Sequence, residues 1–264
     1  MTCMKSNKFF SFLVFIVVIF FGCKKEKSNR VLTFQDEFSR DTLDRSIWRT
    51  GFDWGPSFDG TGQALFIDSA FSIKNGVLHI QTKMDTVIGT VYNTDYIPSL
   101  RTFYFTSGMI QSSYNFSQLY GYFEIRCKTP MGKGFWPAFW LMSPNGWPPE
   151  IDVFEISGLE PNIIHMANHF LDKNSEHRQV SSNFYGNNFS QDFHVFAIEW
   201  NPKEIIWFVD DVQVYRTETG VPSERMFLIV TSGLGGGDFS GYADSTTFFP
   251  ADLQIDYIRV YKEN

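Results

Sequence analysis

The feature that most restricts how this chain can fold is a period-two alternation repeated in short runs, with no long segment that keeps a helical period. Gly76-Val-Leu-His-Ile-Gln-Thr, Gly121-Tyr-Phe-Glu-Ile-Arg-Cys-Lys, His194-Val-Phe-Ala-Ile-Glu-Trp, Ile205-Ile-Trp-Phe-Val and the stretch from Leu253 to Tyr261 each read as a strand. Asp210-Asp211, between Ile205-Ile-Trp-Phe-Val and Val212-Gln-Val-Tyr, predicts a hairpin turn. Many strands without helices leave a sandwich or a barrel, and the absence of a fixed repeat removes propellers and solenoids. The expected fold is therefore all-β, a sandwich of two antiparallel sheets. At 264 residues, 43% of them hydrophobic, one such domain can take up the whole folded part.

The first residues have a different character. Lys5 and Lys8 precede an apolar run from Phe9 to Phe21, which reads as an export signal and is shorter than the roughly 20 residues a spanning helix needs. Gly22 before Cys23 resembles the lipobox of bacterial lipoproteins, with Phe20 where that motif usually has Leu. That resemblance implies cleavage after residue 22 and lipidation of Cys23; an uncleaved anchor and a different cleavage site are the alternatives. The expected division is thus a signal peptide at 1–22, a lipidated cysteine and polar tether at 23–30, and a catalytic domain at 31–264. The protein would be exported and held by its lipid in the bacterial cell envelope, on the periplasmic side of the outer membrane or at the surface, as a monomer. Cys3 leaves with the signal, so Cys127 has no partner for an internal disulfide, and its alternation with Phe123 and Ile125 argues for burial. The formal charge of −7 becomes more negative once the two signal lysines are gone, which argues against nucleic acid or anionic lipid headgroups as partners.

The most informative segment is Glu150-Ile-Asp-Val-Phe-Glu155, three acids in an apolar, strand-like run. Burying unpaired carboxylates is costly, so their presence calls for a function. Glu150 and Asp152 share a face, whereas Glu155 has the opposite parity; a bulge at Val153-Phe154 would return Glu155 to the face of the other two. A retaining glycosidase needs a carboxylate nucleophile and a carboxylic acid about 5–5.5 Å apart. Along a bulged strand the two Glu Cα atoms lie roughly 13 Å apart, so their side chains must lean inward over Asp152.

Together with Gly134-Phe-Trp-Pro-Ala-Phe-Trp, Trp147-Pro-Pro, Tyr120-Gly-Tyr-Phe-Glu-Ile-Arg and Asp256-Tyr-Ile-Arg-Val-Tyr, this segment resembles the signature of glycoside hydrolase family 16. The resemblance implies a β-jelly roll with a concave substrate cleft, Glu150 as nucleophile, Glu155 as acid/base and Asp152 as the group that shares charge and proton between them. It also implies the bulged form of the motif found in laminarinases and marine-galactan enzymes. Trp136 and Trp140 share strand parity, and the resemblance places them in the cleft, where they would stack on sugar rings. Trp54, Trp147, Phe103, Tyr104 and Phe105 stay open between sugar contact and packing, and Trp48, Trp200 and Trp207 read as core. His165 and His169 share a face of the next strand; the resemblance puts His169 beside the acids and leaves His165 open. Two histidines without a third ligand at the right spacing do not make a zinc site.

Relatives in this family bind calcium through residues matching Glu37, Gly76 and Asp256, which would stabilise the fold without entering catalysis; the alternative is that both carboxylates pair with nearby Lys or Arg. No cofactor is expected for the reaction. The expected substrate is a β-1,3-glucan or a mixed-linkage β-1,3/1,4-glucan, cut internally. A galactan of the agar, porphyran or carrageenan type is the alternative, and a sulfated one would need basic contacts such as Arg101 or Lys133. The segment Gly233-Leu-Gly-Gly-Gly-Asp-Phe-Ser departs from the Asn- and Trp-bearing segment common in laminarinases, with Thr231 where Asn is usual, which weakens the glucan expectation. A non-catalytic glycan-binding lipoprotein would be expected to lack the three acids.

Overall fold

The computed structural model describes residues 30–53, 55, 62–92 and 97–264. Among them are two packed β-sheets, one turn of 3-10 helix at Asp68–Ala70 and no α-helix. The larger sheet runs in the order β14 (Val212–Thr217), β13 (Ile205–Val209), β12 (His194–Trp200), β7 (Gly121–Lys128), β16 (Ala251–Glu263), β4 (Val77–Tyr92), β5 (Pro98–Ser107), β2 (Ala64–Phe66). Its remaining strands are β1 (Arg30–Asp36) on β16 and β3 (Phe71–Lys74) on β4. The smaller sheet runs β11 (His177–Tyr185), β10 (Ile163–Leu171), β9 (Glu150–Glu155), β8 (Phe135–Met142), β15 (Phe227–Leu234), β6 (Met109–Gln111). All pairings are antiparallel except the short one between β2 and β5.

The alternation seen in the sequence becomes the core between the sheets. Phe123, Ile125 and Cys127 of β7 and Phe196, Ile198 and Trp200 of β12 point inward against Ile151, Val153 and Phe154 of β9. Phe154 and Phe196 meet across the interface with ring centroids 4.5 Å apart. Trp48, Trp200 and Trp207 are buried, each indole donating to a polar partner: Asp36, the Pro222 carbonyl and the Asp152 carbonyl. The predicted hairpin forms at Asp210-Asp211, both at positive φ, as a tight two-residue turn demands.

Two details differ from the sequence reading. Arg30, placed at the end of the tether, is the first residue of β1: its guanidinium lies 3.9 Å from the centre of the Tyr122 ring and 2.5 Å from Glu199. β15 gave no alternation because every one of its residues is buried, packed on the core side and covered on the other by Phe52 and Phe66. Residues 1–22, Cys23 and Trp54 lie outside the described residues.

Candidate active site

β9 lies in the middle of the smaller sheet, between β8 and β10. On the β8 side Trp140 pairs with Asp152 and the adjacent Phe139 with Phe154, so Val153 is an extra residue without a partner. On the β10 side Ala167 pairs with Asp152 and His165 with Glu155, so one residue faces two. The register shift falls at Val153-Phe154. Both of these side chains go into the core, and Glu150, Asp152 and Glu155 emerge together on the outer face. The shift is braced from the opposite sheet, where the buried Trp207 indole donates to the Asp152 carbonyl at 2.8 Å.

Asp152 is 3% exposed, and its Oδ2 has no hydrogen-bond partner. Burial holds its carboxyl well above the usual range, and the charge of Glu155 adds to this. Burial also raises Glu155, opposed by a hydrogen bond of 2.9 Å from Trp136 Nε1 and by the field of His169. Glu150 is pushed up to about 9, first by burial and then by the charge of Asp152, while His169 and a hydrogen bond from Trp147 work the other way. Three negative charges this close in a partly dry site oppose one another, so the acids do not all ionise at neutral pH.

The histidines fall into place around the acids. His169 Nε2 stands 3.3 Å from Asp152 Oδ2 and 3.8 Å from Glu150 Oε1. His165 lies opposite Glu155 in the register, bonded to Asn183 and packed edge-on against Phe239; burial lowers its proton affinity, so it is a neutral ring at the Glu155 end. Glu150, Asp152 and His169 each bring a donor atom within 4.8 Å of the other two. That is the one such group among the described residues, with a carboxylate pair and a single imidazole.

The two tryptophans are less open than bare sugar platforms would be. Trp140 is 6% exposed, tilted against Phe52 with centroids 6.1 Å apart and clustered with Phe66 and Met109. Trp136 is half-buried beneath the glycine-rich segment: a Cβ at Gly236 would lie 2.7 Å from its ring, and Phe239 packs on it at 5.0 Å. Glycine there lets the loop settle on the indole and keep its N–H on Glu155. Trp147, 52% exposed, is the open aromatic at the Glu150 end. Phe103 is buried, Phe105 packs on Phe249, and Tyr104 is exposed on the long β4–β5 hairpin. Arg101 stacks on Phe103 and Lys133 is paired with Asp244, so neither is committed to the acids.

Residues the sequence reading passed over complete the site. His177 of β11 is hydrogen-bonded to His169, and Phe239 covers Trp136 and His165. The polar alternation Gln179, Ser181, Asn183 on β11 was the available signal for a second strand flanking the acids.

The calcium residues do not fit a cation. Both oxygens of Glu37 are held by Arg259, at 2.7 and 2.8 Å, and Asp256, at a register shift on β16, is bound by Arg126 at 2.6 Å. Two guanidiniums occupy the carboxylates that the ion would need, which is the pairing alternative and not the metal site.

The family model for glycosyl hydrolases family 16 matches residues 64–258. An endo-1,3-1,4-beta-glycanase of Rhizobium meliloti (strain 1021) is 31% identical over 87% of this chain, which spans only 51% of that protein's length. A beta-glucanase of Rhodothermus marinus is 30% identical over 99% of this chain and 98% of its own. The laminarinase catalytic domain from Thermotoga maritima superposes with a TM-score of 0.75 at 29% identity, covering 89% of this chain and 99% of that domain. With the family match spanning most of the folded part, and with the acids displayed on one face of a two-sheet jelly roll, the chain belongs to glycosyl hydrolase family 16.

Proposed function

We propose that this protein is a retaining endo-β-glucanase acting on β-1,3- or mixed-linkage β-1,3/1,4-glucan. The observation that carries the reading is the trio of Glu150, Asp152 and Glu155 on one face, buried enough that their proton affinities rise together. At neutral pH Glu150 is mostly protonated, and the reaction runs through the minority state in which it has given up its proton while the other two acids keep theirs. His169 and the Trp147 hydrogen bond are the groups that favour the charge there. Glu150 attacks the anomeric carbon as Glu155 gives its proton to the departing glycosidic oxygen, leaving a covalent glycosyl-enzyme. Glu155, now a carboxylate held by the Trp136 N–H, takes a proton from water, and that water displaces Glu150 from the anomeric carbon. Asp152, between them and with an Oδ2 that accepts no hydrogen bond but lies 3.3 Å from His169 Nε2, shares proton and charge as the burden moves.

Trp147 is the aromatic open enough to carry a sugar ring, with the half-buried Trp136 and His165 at the Glu155 end and Trp140 packed beneath Phe52 as support for the cleft. No cofactor enters the reaction. The glucan reading is supported by the names of the relatives that match over nearly the whole folded part. The lipobox-like Gly22-Cys23 supports export and lipid anchoring in the cell envelope through Cys23, and the folded part is read as a monomer.

Product analysis on the purified full chain tests this, using laminarin, mixed-linkage glucan, agarose, porphyran and carrageenan with Glu150→Ala as the blank. Short oligosaccharides from either glucan, absent with the variant, are expected. Release from a galactan alone would overturn the substrate and leave the mechanism standing. No release from any would favour a glycan-binding protein.

A further inference from the structure

We infer that Glu150, Asp152 and His169 form a binding site for a zinc-class divalent ion, which shuts the active site reversibly when it is bound. The consequence for turnover rests on the glucanase reading, whereas the binding stands apart from it.

The sequence offers no third histidine or cysteine at zinc spacing, but the fold supplies two carboxylates in their place. His169 Nε2 stands 3.3 Å from Asp152 Oδ2 and 3.8 Å from Glu150 Oε1, and each of the three residues brings a donor atom within 4.8 Å of the other two. Ligands held at 2.0–2.1 Å by a tetrahedral zinc stand about 3.3 Å from one another. The His169–Asp152 separation already has that value, and Glu150 needs only a small turn of its side chain to reach it. Asp152 Oδ2 accepts no hydrogen bond despite its closeness to the ring nitrogen, so it lies off the axis along which that nitrogen would donate. Two ligands of one ion stand in that relation, each pointing at the metal between them and neither at the other.

Two further observations point to a ligand. Asp152 is 3% exposed, and its Oδ2 is a buried acceptor without a partner, a group that a bound cation satisfies. On the far side of the imidazole, His169 Nδ1 lies 3.0 Å from His177 Nε2, an outer partner of the kind that orients a ligating histidine. The strands hold the set in place: Ala167 pairs with Asp152 and His169 with Glu150, and the Trp207 indole fixes the Asp152 carbonyl at 2.8 Å. One imidazole with two carboxylates suits zinc or copper(II), whereas magnesium and calcium want more oxygen ligands than the group has. Three protein ligands leave a fourth position for water.

Bound there, the ion displaces to solvent the protons the two acids carry and holds the carboxylate that must attack the sugar, so turnover stops. With only three ligands and protons to displace, the expected Kd is about micromolar, and a chain purified without added zinc carries none.

The experiment titrates the metal-free full chain with zinc chloride, reading binding by competition with a chromophoric chelator, thermal melting, and turnover of laminarin. About one ion per chain is expected, with a rise in Tm of about 5 °C at saturation. Turnover should fall about tenfold or more and return on adding EDTA, while magnesium and calcium do nothing. His169→Gln and Asp152→Asn should each weaken binding about 100-fold, and His194→Gln, at a histidine remote from the acids, should leave it unchanged. Cobalt(II) in place of zinc should give the intense visible bands of a four-coordinate ion. No zinc bound by the wild type at about 1 mM, a pale octahedral cobalt spectrum, or binding that survives His169→Gln would overturn the inference, and the first two need no variant to fold. Zinc bound with turnover undiminished would overturn its inhibitory half. If the wild type cuts no glucan, the glucanase reading fails while the titration and the cobalt spectrum still decide the metal site.

Discussion

Replacing Glu150 by Gln should abolish turnover and stabilise the fold at neutral pH, because the site holds its acids against their own electrostatics. In the folded state the Glu150 proton affinity is pushed up to about 9, by burial first and by Asp152 second. A carboxyl with a raised folded pKa costs nothing below its unfolded pKa; the cost grows as pH rises through the window up to the folded value. At pH 7.5, about three units above an ordinary glutamate, linkage caps the cost at about 4 kcal/mol. A glutamine amide removes that penalty but has its own hydrogen bonds to satisfy, which reduces the expected gain to about 2 kcal/mol. For a domain of this size that is roughly a 4–8 °C rise in Tm. Thermal melts of wild type and Glu150→Gln at pH 4.5 and 7.5 are the assay: the variant should melt below the wild type at the lower pH, where only the cost of the amide remains, and above it at the higher. A gain that is equal at both pH values, or a loss at 7.5, would refute the electrostatic account of the site.

Other predictions test neighbouring parts of the structure. Trp207→Phe strips the Asp152 carbonyl of its donor inside the core and should lower stability by about 3 kcal/mol, seen as a lower denaturant midpoint, with kcat falling before unfolding begins. Since Arg259 and Arg126 already occupy Glu37 and Asp256, stripping divalent ions with a chelator should leave Tm unchanged, whereas Arg259→Ala should lower it. Cys127 is fully buried with its thiol affinity pushed up by that burial, so a thiol reagent should label it only as the protein unfolds. Cys23→Ser should abolish incorporation of radiolabelled fatty acid if Cys23 is the lipidation site.

The sequence carried the sheet strands wherever one face was wet. Phe123, Ile125 and Cys127 alternate with polar neighbours and are core, and the opposite parity of Glu155 pointed to where the register must shift. It was silent where both faces are dry, as along β15, and where loops decide exposure: Trp140 has the parity of a sugar platform but lies under Phe52 and Phe66, contacts with no period in the sequence. The same limit hid the fate of Glu37 and Asp256, whose arginines stand beside them only once β16 is paired with β1 and β7. His177 could not be tied to His169 before the hairpin from Asp172 to Glu176 set which residues lie diagonally across β10 and β11. The three acids were legible because so concentrated a charge in an apolar strand has no ordinary packing explanation.

The central claim is that Glu150 forms a bond to the sugar while Glu155 handles the proton. Proton NMR of laminarin during the first minutes of cleavage tests it most directly, since the anomer released at the start records whether one displacement or two took place. The β-anomer appearing first, with no signal from Glu150→Gln, is the predicted result. An α-anomer first, or undiminished cleavage by the variant, would contradict it.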